Sequence, residues 1–261
     1  MILEEGNVLS MRNISKSFGA VAALTDANLD VNRGEVVALV GDNGAGKSTL
    51  IKILSGVFPA DSGTISIDGS PRQIQSPADA RSAGIATVYQ DLALCDNLTV
   101  VNNLFLGQEI GPFNMDEVAM EIKSWELLRQ LSAKIPSVRI AIASLSGGQR
   151  QTVAIARSLL GEPSLILLDE PTAALGVAQT AEVLNLIERL KENGLGVIMI
   201  THNMADVRAV SDRVAVLRLG SNNGYFTTSE VDNSELVAAI TGATDNVVTQ
   251  RAARKHESEE V

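Results

Sequence analysis

The chain has 261 residues, is 45% hydrophobic but only 3% aromatic, and carries 21 basic against 31 acidic residues for a formal net charge of −10. That length can bury a full core as one composite domain, and an interior of Val, Ile, Leu and Ala suits a parallel sheet wrapped by helices. The acidic balance argues against a nucleic-acid binder held by phosphate contacts. The single cysteine, Cys95, has no partner for an internal disulfide, which suits a reducing compartment, and reads as a small apolar filler. No stretch approaches eighteen uninterrupted apolar residues, and the first residues lack a basic-then-apolar signal pattern. The chain is therefore expected to be soluble and cytoplasmic, with any membrane role coming through a partner.

The segment up to about Arg33 alternates like strand, at Leu9-Ser10-Met11 and again at Leu29-Asp30-Val31. An apolar run, Val36 to Val40, then reads as a buried strand and leads into Gly41-Asp42-Asn43-Gly44-Ala45-Gly46-Lys47-Ser48-Thr49. Leu50 to Leu54 continue as a helix that ends at Gly56, with Pro59 just beyond. Strand, glycine-rich turn and helix start, with the spacing G-x4-G-K-S, make a phosphate-binding P-loop. Its backbone N–H groups form an anion nest at the positive end of the helix. Lys47 is placed for the β- and γ-phosphates, and the Ser48 hydroxyl for Mg2+. Thr64 to Gly69 alternates and closes on Asp68-Gly69, a hairpin signal, so an antiparallel layer is expected beside the P-loop strand. Gly84 to Gln90 is a further short buried strand with a polar end.

From Asp116 to about Ala133 apolar residues at Val118, Ile122, Trp125 and Leu128 fall at helical spacing, so this stripe, Trp125 included, is expected to face the core. Leu145-Ser146-Gly147-Gly148-Gln149 precedes a helix expected from Arg150 to about Leu160, stopped by Gly161 and Pro163. Ser146 is a natural N-cap, and two glycines leave backbone N–H groups uncovered, which makes a second anion site. One chain has no obvious use for two phosphate cradles; a dimer does, if each cradle faces the other copy's P-loop. Leu165 to Leu168 drive a strand through the core and release Asp169 and Glu170 at its end, where nucleotides sit in α/β sheets. Asp169 is placed to steady a metal shell and Glu170 to polarise an attacking water. A helix with Val183, Ile187 and Leu190 on one face, closed by Asn193-Gly194, leads to a strand at Val197 to Ile200, a right-handed parallel unit. Val214 to Leu217 and the Gly220-Ser221-Asn222-Asn223-Gly224 turn suggest a closing hairpin, and the last ten residues a solvated, frayed tail.

Leu145 to Arg150 resembles the signature motif of ABC-transporter ATPases, and the family's other motifs occur in order from about residue 8 to 230. The resemblance implies a P-loop NTPase of the α/β class, with a parallel sheet, an antiparallel β layer and an inserted helical subdomain. Its implied boundaries are 8–90 and 161–230 for the ATPase core, 91–160 for the helical part, and 231–261 for a C-terminal segment. Phe18 matches the aromatic that stacks on adenine, and Gly41 to Ser48 matches Walker A. Gln90 matches the glutamine linked to Mg2+ and to the transmembrane partner, and Leu165 to Asp169 with Glu170 matches Walker B and the general base. His202 matches the switch histidine near the γ-phosphate. ATP and Mg2+ are thus implied ligands, with Ser48, Gln90 and Asp169 at the metal, and Lys47, Glu170 and His202 in catalysis. Nucleotide contacts are implied for Phe18, Gly41, Asn43 to Thr49 and Gln90, and from a facing copy for Ser146, Gly147, Gly148 and Gln149.

The implied partners are a second copy or another ATPase chain, membrane permease subunits and, indirectly, a solute-binding protein, with no nucleic acid. The implied location is the inner face of the cell membrane. Val88 to Leu94, Asn97 to Val100, Asn103 to Gly107 and Ala173-Ala174-Leu175-Gly176 are similar to ATPases of ribose- and xylose-type sugar importers. Gly176 stands where the family pattern has an aspartate, and weakened cross-talk between paired sites is expected. A weakly hydrolysing regulatory module is the alternative at that position. Soluble ABC ATPases of DNA repair or translation resemble fused cassettes or a cassette split by a coiled coil, and this chain has neither.

Overall fold

The computed structural model describes residues 6–111 and 115–243. The expected frayed tail lies outside the described residues. Two long antiparallel strands, β1 (Asn7–Phe18) and β2 (Val21–Asn32), open the fold. The P-loop strand β3 (Val36–Val40) and helix α1 (Lys47–Leu54) follow, then the short strands β4 (Ser62–Ile67) and β5 (Ser70–Arg72) joined through Asp68-Gly69. Helix α2 (Pro77–Ser82) leads to β6 (Ile85–Val88). Three helices come next, α3 (Val100–Phe105), α4 (Glu117–Gln130) and α5 (Gly147–Ser158). The chain then runs through β7 (Leu165–Asp169), α6 (Val177–Glu192), β8 (Gly196–Ile200), α7 (Met204–Val210), β9 (Arg213–Arg218), β10 (Ser221–Thr227) and α8 (Asn233–Thr241).

A four-stranded sheet, order β2-β1-β4-β5, is entirely antiparallel, and a six-stranded sheet has the order β10-β9-β3-β8-β7-β6. In the larger sheet β9, β3, β8, β7 and β6 run parallel, and only β10 is antiparallel. The continuous apolar runs are explained by burial on both faces. Val36, Ala38 and Val40 of β3 face one core with Ile166, Leu168, Val197 and Met199, against helices α3 to α7. Val37 and Leu39 face a second core with Leu165, Leu167, Ile198 and Ile200, against α1 and the antiparallel sheet. Alternation by two thus assigns each strand residue to one of two layers.

Three local expectations are corrected. The α4 stripe is half right: Leu128 is buried and Trp125 packs against the core, but Val118 and Ile122 are 67% and 56% exposed, and Met120, Ser124 and Leu127 take their place inside. At about 100° per residue the buried set lies roughly opposite the Val118–Ile122 line, and Trp125 is only half-buried between them. Helix α5 begins at Gly147, three residues early, because Ser146 accepts from Gln149 N at 3.3 Å and the Gln149 side chain returns to Ser146 N at 3.0 Å. This reciprocal cap satisfies two helix-start donors at once. The closing hairpin turns at Leu219-Gly220, and Ser221 to Gly224 already belong to β10, with a bulge between Asn222 and Gly224. That irregularity absorbs the surplus glycine and asparagine inside the strand.

Candidate active site

The apolar strands β3, β7 and β8 lie side by side, so their C-terminal ends deliver polar residues to one edge of the sheet. A cleft of about 810 Å3 opens there, lined by Gly41 to Thr49, Gln90, Asp169, Glu170, Ile200 and His202. One wall is formed by Val21, Ala22 and Ala23, which sequence reasoning missed. The only available signal was the hairpin itself, because pairing Phe18 with Val21 brings the start of β2 to the P-loop.

The P-loop has the local geometry of an anion nest. Gly46 is the N-cap of α1 with φ 104, and a Cβ there would lie 2.8 Å from the Ala23 carbonyl oxygen. No side chain caps α1 and no acidic residue occupies its first turn, so its N-terminal donors are open to a phosphate. The Lys47 ammonium donates to the carbonyls of Gly41 at 2.5 Å and Asp42 at 3.0 Å. Burial lowers the Lys47 pKa below the usual lysine value, against the opposing pull of Glu170, Asp42 and Asp169. Burial and the neighbouring Glu170 charge raise the Asp169 pKa above the ordinary carboxylate value. Both charged forms are therefore penalised by burial in the cleft.

Glu170 leaves β7 with φ 48, its N–H donating to the Ile200 carbonyl at 2.9 Å. Its Oε1 lies 2.8 Å from His202 Nδ1, the carboxylate sunken and the imidazole exposed. The oxygen set of Ser48, Gln90 and Asp169 lines the same cleft. Among the described residues no group of three or more His, Cys, Asp or Glu forms a metal cage. One carboxylate with a hydroxyl and an amide fits Mg2+, which completes its shell with water and phosphate oxygens.

The other expected site residues stand apart. Phe18 is not in the cleft lining and is 48% exposed, edge-on to Phe58 with centroids 5.2 Å apart and the Lys16 ammonium 5.8 Å from its ring. Ser146, Gly147, Gly148 and Gln149 do not line this cleft. A Cβ on Gly147 would meet Leu175 Cδ2 at 2.9 Å, and one on Gly148 would meet Gln179 Cβ at 3.2 Å. The glycines thus pack against Leu175 and the first turn of α6, and Gly148 is buried rather than uncovered. The Gln149 side chain is engaged within its own chain, by Ser146 N and by the Lys134 carbonyl at 2.9 Å.

The ABC transporter family profile matches residues 24–173. The xylose/arabinose import ATP-binding protein of Sulfolobus acidocaldarius is 44% identical over 236 residues, 90% of this chain and 94% of that protein. The fructose import ATP-binding protein of Rhizobium meliloti is 42% identical over 245 residues, with the same coverage. A ribose import ATP-binding protein of Escherichia coli O157:H7 is 42% identical over 90% of this chain but only 46% of its own length. Among solved structures, an ATP-binding cassette of an ABC transporter superposes with TM-score 0.80 at 27% identity, covering 90% of this chain and 98% of that one. A dimeric cassette bound to ADP and phosphate gives 0.70 at 27% identity, over 84% and 98%. A P-loop cleft on this sheet, a family profile across residues 24–173 and relatives at 42–44% identity over 90% of the sequence together mean that the chain belongs to the ABC transporter family, as an ATP-binding subunit.

Proposed function

We propose that this protein is the ATP-hydrolysing subunit of an importer for a monosaccharide, working as a head-to-tail pair of cassettes beneath membrane permease subunits. The observation that carries the reading is the division of its chemistry. P-loop, Asp169, Glu170 and His202 share one cleft, while the Ser146–Gly148 helix tip lies outside it. A facing copy would bring that tip to the triphosphate and complete the cage. The sugar assignment rests on the likeness to pentose and fructose import proteins.

Lys47 and the P-loop amides hold the phosphates and offset the charge that develops on them. Glu170 orients a water through its carboxylate, and His202, 2.8 Å from that carboxylate, holds its direction and meets the γ-phosphate. Ser48, Gln90 and Asp169 would hold Mg2+. Bound there, the cation neutralises phosphate charge. Nucleotide bridging the two copies favours closure, and its cleavage removes the bridge. The permease meets the surface beyond Gln90, where a groove of about 360 Å3 is bordered by the exposed side chains of Tyr89 and Leu106. The chain thus works at the inner face of the membrane. Glu170→Gln is the test: it binds ATP, dimerises and fails to turn over. Normal turnover in that variant removes the base. Pull-down from membranes identifies the permease and the solute-binding protein, whereas stimulation by DNA or ribosomes without a membrane partner argues against transport.

A further inference from the structure

Glu170 and His202 reach each other from the two segments that follow the paired strands β7 and β8, whose backbones stay joined as far as the Glu170 N–H to Ile200 carbonyl bond at 2.9 Å. Glu170 sits just past β7 in the left-handed region, φ 48, so the strand does not fix where its side chain points. Its contact with His202 is at the cleft mouth, with the imidazole in water. A second link joins the same two segments from beneath. Thr172, two residues after Glu170, donates its hydroxyl to the Asp206 carboxylate at 2.5 Å. Asp206 lies four residues after His202, in the first turn of α7. Thr172 and Asp206 are 9% and 3% exposed and neither lines the cleft. The two segments therefore form a closed ring, cross-linked by a 2.8 Å contact at the wet end and a 2.5 Å bond at the dry end. Water competes for the first link and is kept from the second.

We propose that the Thr172–Asp206 bond is the positioning element that sets Glu170 against His202, with Thr172 and Asp206 as positioning residues that never touch nucleotide. The inference rests on the roles given above to Glu170 and His202. Its test is therefore a readout that does not depend on turnover. His202 and His256 are the two histidines, so the His202 ring resonance is identified by its loss in His202→Ala.

In nucleotide-free Thr172→Val the His202 resonance is expected to move. Turnover per folded protein is expected to fall by about tenfold to a hundredfold, with KM for ATP changed less than about twofold because the P-loop is untouched. Thr172→Ser keeps the hydroxyl and is expected to recover most of both effects. Should Thr172→Val fold poorly, Thr172→Val/Asp206→Leu removes both partners and leaves no unpaired buried group, and the same resonance is read there. A wild-type His202 resonance in the folded variants, with only a lower melting temperature, overturns the positioning role whatever Glu170→Gln does. Undiminished turnover in Glu170→Gln instead overturns the base assignment alone.

Discussion

At the scale of single residues the cleft holds charge that nothing in the chain fully rewards. Asp169 and Lys47 both have their ionised forms disfavoured by burial, in opposite pKa directions. Because the Asp169 pKa is raised in the folded state, its penalty is absent below the ordinary value of 3.8 and sets in as pH rises through the shifted value. Asp169→Asn is therefore expected to melt at a higher temperature than the parent when nucleotide-free at pH 7, while losing Mg2+-dependent turnover. The gap should narrow in melting curves recorded toward pH 3.8. Lys47 has the opposite sign: its pKa is lowered, so stability rises with pH through the shifted value toward 10.5. For Lys47→Ala the expected outcome is loss of ATP binding by calorimetry, and retained affinity would count against the cradle.

At the scale of elements, caps and ties decide the motions that are open to the fold. Gly176 begins α6 at φ −73 and ψ 163, an ordinary N-cap conformation, and only the Gln179 side chain, at 3.4 Å, reaches its N–H. A Cβ at Gly176 meets nothing within 4 Å. Gly176→Asp is thus sterically free, supplies a capping carboxylate and is expected to stabilise α6 by about 0.5 kcal/mol. The same change should raise the Hill coefficient for ATP in steady-state assays if the missing aspartate is what weakens cross-talk. Arg157, near the far end of α5, donates to the carbonyls of Leu92 and Ala93 at 2.7 and 2.9 Å. It ties the segment after Gln90 to the helix whose first turn is Gly147-Gly148. Buried Asn103 also holds that segment, accepting from Cys95 N and donating to the Cys95 carbonyl. Arg157→Ala removes a charged donor from two carbonyls and is expected to cost about 2 kcal/mol, read as a melting decrease of roughly 4–8 °C.

At the scale of the whole molecule, the proposed completion of the active site by a second copy has a consequence that point mutation alone does not test. Lys47→Ala spoils a chain's own cradle, whereas Ser146→Glu leaves that cradle intact and spoils the tip it lends, together with the cap of its own α5. In an equimolar mixture half of the dimers are mixed, and each mixed dimer has one site made of two intact halves. Two inactive preparations are therefore expected to regain about a quarter of the parent turnover when combined, by the symmetry of a head-to-tail pair. No recovery on mixing would mean that each chain hydrolyses alone.

Much of the site was legible because its parts are local. A glycine-rich turn between a buried strand and a helix, two carboxylates after four apolar residues, and Ser146 as a helix N-cap are each set by neighbours along the chain. That β3 is a buried strand was legible from its continuous apolar run in the same way. What the residues did not disclose is non-local. The core face of α4 was judged right at Leu128 but wrong at Val118 and Ile122, because the stripe Val118, Ile122, Trp125 and Leu128 is as regular as the buried set, and only the packing partners choose between them. Chain order likewise placed Glu170 and His202 on separate segments without bringing them together. Their contact exists because β7 pairs with β8 in a register that sets Asp169 beside Ile200. Sequence by itself determined the chemistry at each strand end, since backbone curl and capping are short-range effects. The tertiary structure alone decided which ends meet, because distances between residues some thirty positions apart are set by sheet register and close packing rather than by either segment's own preferences.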